Sequence, residues 1–229
     1  NHDFDHERAM NRSLMSIEQI LQQRKGKIAG LIAEPIQGNG GILIPHREYF
    51  KKLHTLLKSH GALLIIDEVQ TGFARTGLMF AIEHFGIVPD IMTMAKALGN
   101  GIPISAFAAT DEIASVFTKP SASTLGGNPV ASVTASAVLD YIHNHALCEQ
   151  AQFMGKNLQE GLSYLQENHS IIRDTRGIGL MMGAELVKGN TPAGDAADIV
   201  LEEMKNRGFF IGKNGMDRNV LAFQPPLII

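Results

Sequence analysis

Leu63-Leu64-Ile65-Ile66-Asp67-Glu68-Val69-Gln70-Thr71-Gly72 is the stretch on which the reading of this chain turns. A short, continuous aliphatic run bounded by turn residues reads as a buried strand. A strand that ends in an acid delivers it to the C-terminal edge of an open α/β sheet, where ligands bind. Neighbouring side chains on a strand point to opposite faces, so Asp67 and Glu68 cannot serve the same site. A second apolar stretch, Pro89 to Ala95, delivers Lys96 to another glycine-bearing turn, Lys96-Ala97-Leu98-Gly99-Asn100-Gly101.

An acid at a strand end also belongs to P-loop ATPases, but those need a Gly-x-x-x-x-Gly-Lys-Ser/Thr loop. The pairs Gly26-Lys27, Gly155-Lys156 and Gly212-Lys213 are followed by Ile, Asn and Asn, so the phosphate loop is absent. A lysine and a carboxylate at neighbouring strand ends are what a pyridoxal 5'-phosphate site needs. The amine forms a Schiff base with the aldehyde, and the acid keeps the pyridine nitrogen protonated.

Four blocks stand in the order and spacing of a known family. They are Ala33-Glu34-Pro35-Ile36-Gln37-Gly38, then Ile66-Asp67-Glu68-Val69-Gln70-Thr71-Gly72-Phe73-Ala74-Arg75-Thr76-Gly77, then Pro89-Asp90-Ile91 through Lys96-Ala97-Leu98-Gly99-Asn100-Gly101-Ile102-Pro103, and Ser123-Thr124-Leu125-Gly126-Gly127-Asn128-Pro129. With 29 positions from Asp67 to Lys96, the chain from about Ile28 onward resembles the class III (omega) aminotransferases, enzymes of fold-type I. The resemblance implies an α/β fold with a mostly parallel sheet in a large domain and a smaller C-terminal α/β domain. We place the boundary so that residues 1–135 are the cofactor-binding part and 136–229 the small domain. It also implies that the chain lacks N-terminal and extreme C-terminal portions of the whole enzyme, so that this segment alone is expected to be inactive.

The same resemblance assigns residues. Lys96 carries the cofactor and, once displaced by substrate, moves a proton between the substrate and the cofactor. Asp67 pairs with the pyridinium nitrogen, Val69 packs on the ring, and Gln70 hydrogen-bonds the ring's 3'-oxygen. Thr124 reaches the phosphate bound by a neighbouring subunit, which implies a homodimer. Glu34 lies near the substrate, where relatives pair it with an arginine that otherwise holds the α-carboxylate. That arginine would stand just before Pro225-Pro226, and here Ala222 occupies the place. Arg176, within Arg176-Gly177-Ile178-Gly179-Leu180, belongs to a block that looks structural in the family and is not assigned a catalytic role.

Bulk properties narrow the function classes. Of 229 residues, 45% are hydrophobic and 19% charged, ordinary for one or two globular domains. A net charge of −3 leaves no basic footprint for nucleic acid or an acidic membrane surface. No apolar run approaches the length of a membrane span. The single cysteine, Cys148, excludes an internal disulfide and a cysteine-type zinc site, and no metal ligands are assigned. The compartment expected is the cytoplasm, with a mitochondrial location left open by an unseen N-terminus.

The rest of the chain reads as alternating elements. Helices are expected at Ser16–Arg24, Arg47–His60, Thr76–Gly86, Val130–His145, Glu149–Asn168 and Ala196–Arg207. Strands are expected at Lys27–Ile36, Leu63–Asp67, Ile91–Ala95 and Ser105–Thr110, then Ile171–Arg173, Leu180–Leu186, Phe209–Ile211 and Val220–Phe223. The function expected is transfer of an amino group from an amine or amino acid donor to a keto-acid acceptor. Racemases and amino-lyases of the same superfamily share these residues and remain an alternative, as does a piece that folds without turning over.

Overall fold

The computed structural model describes residues 5–229. Helix α1 (His6–Gln23) starts at Asp5, whose side chain accepts the N–H of Arg8 at 2.8 Å. It is followed by β1 (Gly30–Ala33), α2 (Tyr49–Ser59), β2 (Leu63–Asp67), β3 (Ile91–Met94), β4 (Ala106–Ala109) and the short α3 (Asp111–Ser115). The four strands form one sheet in sequence order, with β1, β2 and β3 parallel. β4 runs antiparallel to β3, pairing Ile91 with Ala109 and Met94 with Ala106. This is the mostly parallel sheet that was expected, with β4 as its exception. A strand direction depends on the connection that returns the chain, and residues 95–105 return it without a crossover helix.

Register assigns the two faces. Leu64 and Ile66 are fully buried with Phe50, Leu53 and Leu57 of α2 and Leu21 of α1 in one core. Ile32, Ile65 and Asp67 of the alternate set, with Thr93 and Phe107 in register, lie on the other face. That face is open: Ile32 is 60% and Phe107 72% exposed. β1 is shorter than the apolar run that announced it, because Pro35 lacks the N–H to continue a ladder. The Thr76–Gly86 region is a turn ending in a 3-10 segment at Ala81–Phe85, rather than a helix.

Two long helices follow, α4 (Pro129–Asn144) and α5 (Leu147–Asn168). Asn128 caps α4 by accepting the N–H of Ala131 at 3.0 Å, and Pro129 occupies the first helical position, where its missing N–H costs nothing. The remaining elements are β5 (Ile172–Ile178), β6 (Met181–Lys188), β7 (Thr191–Pro192), α6 (Gly194–Asn206), β8 (Gly212–Asn214) and β9 (Val220–Phe223). They build a second sheet in the order β5-β6-β9-β8, antiparallel throughout, with β7 hairpinned onto β6. Helices α5 and α6 cover it through Leu162, Ala196 and Ala197. The strand expected at Phe209–Ile211 starts later, at Gly212; Phe209 and Phe210 are 60% and 88% exposed.

The two sheets are joined through the hairpin between Phe73 and Met79. Thr76 lies against Gly179, where an added Cβ would come within 2.6 Å of the Thr76 carbonyl carbon. Gly179 has φ +59°, a conformation that only glycine adopts without strain. Arg75 donates to the carbonyls of Leu180 at 3.1 Å and Pro225 at 2.6 Å, and Gln152 of α5 donates to Gly77 at 2.6 Å. Burial lowers the pKa of the Arg75 guanidinium from its ordinary value.

The hairpin is anchored by Glu68, a carboxyl with no exposed surface. It accepts the hydroxyl of Thr71 and the N–H groups of Ala81 at 3.1 Å and Ile82 at 2.8 Å. Burial raises the Glu68 pKa above 4.5, and the Thr71 hydroxyl and the Ile82 and Ala81 N–H groups pull it partly back. Glu68→Gln, which points an NH2 group at donors, is expected to lower stability by about 2 kcal/mol in urea titrations. A raised carboxyl pKa contributes stability that is complete below the unfolded value and lost as pH rises through the folded one. The neutral glutamine has no such titration, so the gap between the two proteins should narrow as pH rises above 4.5. A gap that widens with pH would show that the three donors outweigh desolvation.

Candidate active site

Asp67 ends β2 on the open face, half-buried, and its carboxylate accepts the N–H of Val69 at 3.0 Å. That bond turns the chain outward, so that Val69 and Gln70 follow beside the acid while Glu68 enters the interior. One strand end therefore separates two carboxylates into an anchor and a site group.

Lys96 leaves β3 at the same edge of the sheet. Asp67 pairs in register with Thr93, and Lys96 follows two residues after β3 ends at Met94. Lys96 has φ +46°, left-handed backbone that a non-glycine residue adopts at a cost of about 1–3 kcal/mol. The turn closes through Asn100 at φ 42° and packs on α4 through Leu98 and Ala135. Lys96 is exposed. Among the described residues its amine has no hydrogen-bond or ion-pair partner. The reason is the open sheet face onto which the turn leads.

Glu34 follows β1 at the third strand end and accepts the N–H of Gly38 at 3.0 Å. Gly38 in turn abuts the amide of Gln70. The ends of β1, β2 and β3 thus bring Glu34, Asp67, Val69, Gln70 and Lys96 to one edge. Thr124 lies on the exposed loop before α4, and among the described residues no hydrogen bond links it to Asp67, Gln70 or Lys96.

A cavity of about 670 Å³ opens beside Glu34, lined also by Gln37, His46, Tyr49, Glu185 and Arg176. Neither Asp67 nor Lys96 lines it. Arg176 donates to Asp174 at 2.8 Å, to Glu185 at 2.7 Å and to the carbonyl of Gly41 at 3.0 and 2.8 Å. Those bonds commit its guanidinium to holding the Glu34–Ile42 loop against the second sheet. Ala222, 5% exposed, packs with Ile36, Ile42 and Met181, so an apolar cluster stands where the family resemblance led us to expect an arginine. Reading the sequence alone missed Gly38, Arg75 and Asn214, the residues that tie the site loops together. Only the run of glycines at 38–41 hinted at close backbone approach. No cluster of three or more His, Cys, Asp or Glu among the described residues could hold a metal ion, and none of their helices is long and apolar enough to cross a membrane.

An α/β sheet presenting a lysine and an acid at adjacent parallel strand ends, with an antiparallel second sheet beside it, is the architecture of fold-type I transferases. The model of the family "Aminotransferase class-III" matches residues 2–229, and this chain belongs to that family. It is 46% identical over 206 residues to alanine–glyoxylate aminotransferase 2 homolog 2, mitochondrial, of Arabidopsis thaliana, covering 88% of this chain and 43% of that protein. It is 44% identical to a leucine/methionine racemase of Thermococcus litoralis, covering 88% of this chain and 46% of the relative. A crystal structure of a Bacillus anthracis aminotransferase superposes with TM-score 0.88 at 36% identity, over 94% of this chain and 52% of that one. The chain spans about half the length of the relatives it matches.

Proposed function

We propose that the protein carrying this chain is a pyridoxal 5'-phosphate-dependent aminotransferase, taking an amino group from an amine or ω-amino acid and delivering it to a keto acid. The observation that carries the reading is the pair Asp67 and Lys96 at the ends of adjacent parallel strands, with Lys96 held in a left-handed turn. An acid for a ring nitrogen, an apolar side chain, an amide and a free amine fit the ring and the aldehyde of that cofactor. Bound there, it would supply an aldehyde that captures amines and a ring that withdraws electrons.

The chain's own residues divide the remaining work. Asp67 would face the ring nitrogen and accept a hydrogen bond from its N–H, holding the proton there. Val69 would cover the ring, and the Gln70 amide would donate to its oxygen. Lys96 would hold the aldehyde of the bound cofactor and, as a free amine, could move a proton between the substrate carbon and the cofactor. Glu34 faces the neighbouring cavity, where the substrate's remainder fits. Thr124 is proposed to serve the phosphate of a second subunit. Exposed Leu125, Val130 and Val133 around it support a homodimer that covers this loop and the start of α4. The single cysteine supports a reducing compartment, cytoplasm or mitochondrial matrix. We also propose the boundary near residue 135, within α4, between the cofactor-binding part and the smaller domain.

The racemase relative supports a second reading, in which the same residues return the proton to the carbon they took it from. Incubation with an amino donor alone separates the two. A transaminase converts the cofactor to its pyridoxamine form and stops until a keto acid is added, whereas a racemase leaves it in the aldehyde form.

Borohydride reduction in the presence of cofactor, followed by peptide mapping, is expected to place a pyridoxyl adduct on Lys96; an adduct on Lys119 or Lys213 would overturn the assignment. Asp67→Ala is expected to retain that adduct but lose turnover by about a hundredfold or more. Full activity of that variant would mean another group protonates the ring. Because Ala222 leaves an apolar cluster and Arg176 is committed elsewhere, donors lacking an α-carboxylate should be used about as well as matched donors bearing it. A strict preference for α-amino acids in a donor panel would show that another cation has taken the role.

A further inference from the structure

Gly38 is the residue at which the loop after β1, the end of β2 and the second sheet meet. Its N–H donates to Glu34 at 3.0 Å. Its carbonyl accepts the N–H groups of Gly41 at 3.1 Å and Ile42 at 3.2 Å, and the side-chain amide of Asn214, at the end of β8, at 3.0 Å. The next residue is held as well, since Gly215 donates its N–H to the Asn39 carbonyl at 3.0 Å. Both backbone polar groups of this buried residue are thus used, one toward Glu34 and one toward the second sheet.

Its third contact explains the absence of a side chain. A Cβ at position 38 would lie 1.7 Å from Oε1 of Gln70 and 2.5 Å from its Cδ. Gly38 is not among the glycines with left-handed backbone, so conformation does not demand glycine here. The three atoms nearest an added Cβ all belong to the Gln70 amide. Gln70 is long and flexible, so an added methyl would push its amide aside rather than prevent folding. We propose that Gly38 is a positioning residue that seats the Gln70 amide, and that through its N–H and carbonyl it sets Glu34 and Gln70 in one frame with the second sheet. The consequence for cofactor binding rests on the reading of Gln70 given above.

The test uses the 229-residue chain as Gly38→Ala, Gln70→Ala and the double variant. In two-dimensional nitrogen–proton spectra, the side-chain NH2 pair of Gln70 is identified by its loss in Gln70→Ala. It should shift in Gly38→Ala, while the pair of Gln152, bonded to Gly77, stays in place. Thermal melting should show Gly38→Ala below the wild type and the double variant level with Gln70→Ala, because removing the amide makes room for the methyl. If Gly38→Ala fails to fold, the double variant should still fold. Titration with pyridoxal 5'-phosphate followed by visible absorbance should show affinity reduced about tenfold in Gly38→Ala and no further in the double variant than in Gln70→Ala. An unmoved Gln70 signal, or a double variant that melts well below Gln70→Ala, overturns the proposal. A Gln70→Ala protein that binds the cofactor as tightly as the wild type overturns the role of Gln70 as a ligand, and the spectra and melting curves still decide whether Gly38 seats it.

Discussion

The buried carboxyl of Glu68 is the constraint on which the rest of the site depends. It has no exposed surface and gathers three donors from residues three to fourteen positions onward. An ionisable group so placed would be strongly unfavourable without those partners, which makes the path from Thr71 to Ile82 a requirement of its burial. Because strand neighbours alternate, the inward turn of Glu68 obliges Asp67 to face out. The orientation of the site acid is therefore decided by its neighbour's need for partners.

The hairpin that Glu68 holds carries Arg75, which reaches the second sheet through two carbonyl oxygens. A guanidinium spent on backbone carbonyls fixes distance and direction rather than neutralising charge. Arg176 works from the opposite side, bonding the Gly41 carbonyl while Asp174 and Glu185 balance its charge. The two arginines lock the loops after β1 and β2 against one antiparallel sheet. The residues at the three strand ends inherit their spacing from that lock.

Strain gathers at the same places. Lys96 has left-handed backbone, as do the consecutive Phe73 and Ala74, which are almost wholly buried. Non-glycine residues stay in that region only where the surroundings enforce it. For Phe73, the enforcement is its N–H bond to Met79 at 2.7 Å and its edge-on contact with Phe80. For Lys96, it is the packing of Leu98 on α4.

Much of this was legible in the residues themselves. The run Leu63–Asp67 is a strand because its aliphatic side chains and its turn residues are local signals, and the opposed fates of Asp67 and Glu68 follow from pleating alone. The caps of α4 and the placement of Lys96 after β3 are equally local. What could not be read are the relations between segments distant in sequence. Sequence alone carried no sign that β4 reverses, that residues 76–86 would serve the Glu68 carboxyl instead of forming a helix, or that Lys96 would be exposed. Gly38 looked like an ordinary loop glycine until the fold set the Gln70 amide against it. Periodicity and turn chemistry act between near neighbours, so the chain by itself determines which elements form and which side chains reach the sheet edge. Close approach, burial and partner choice depend on what other segments bring to the same place, and those only the tertiary structure decides.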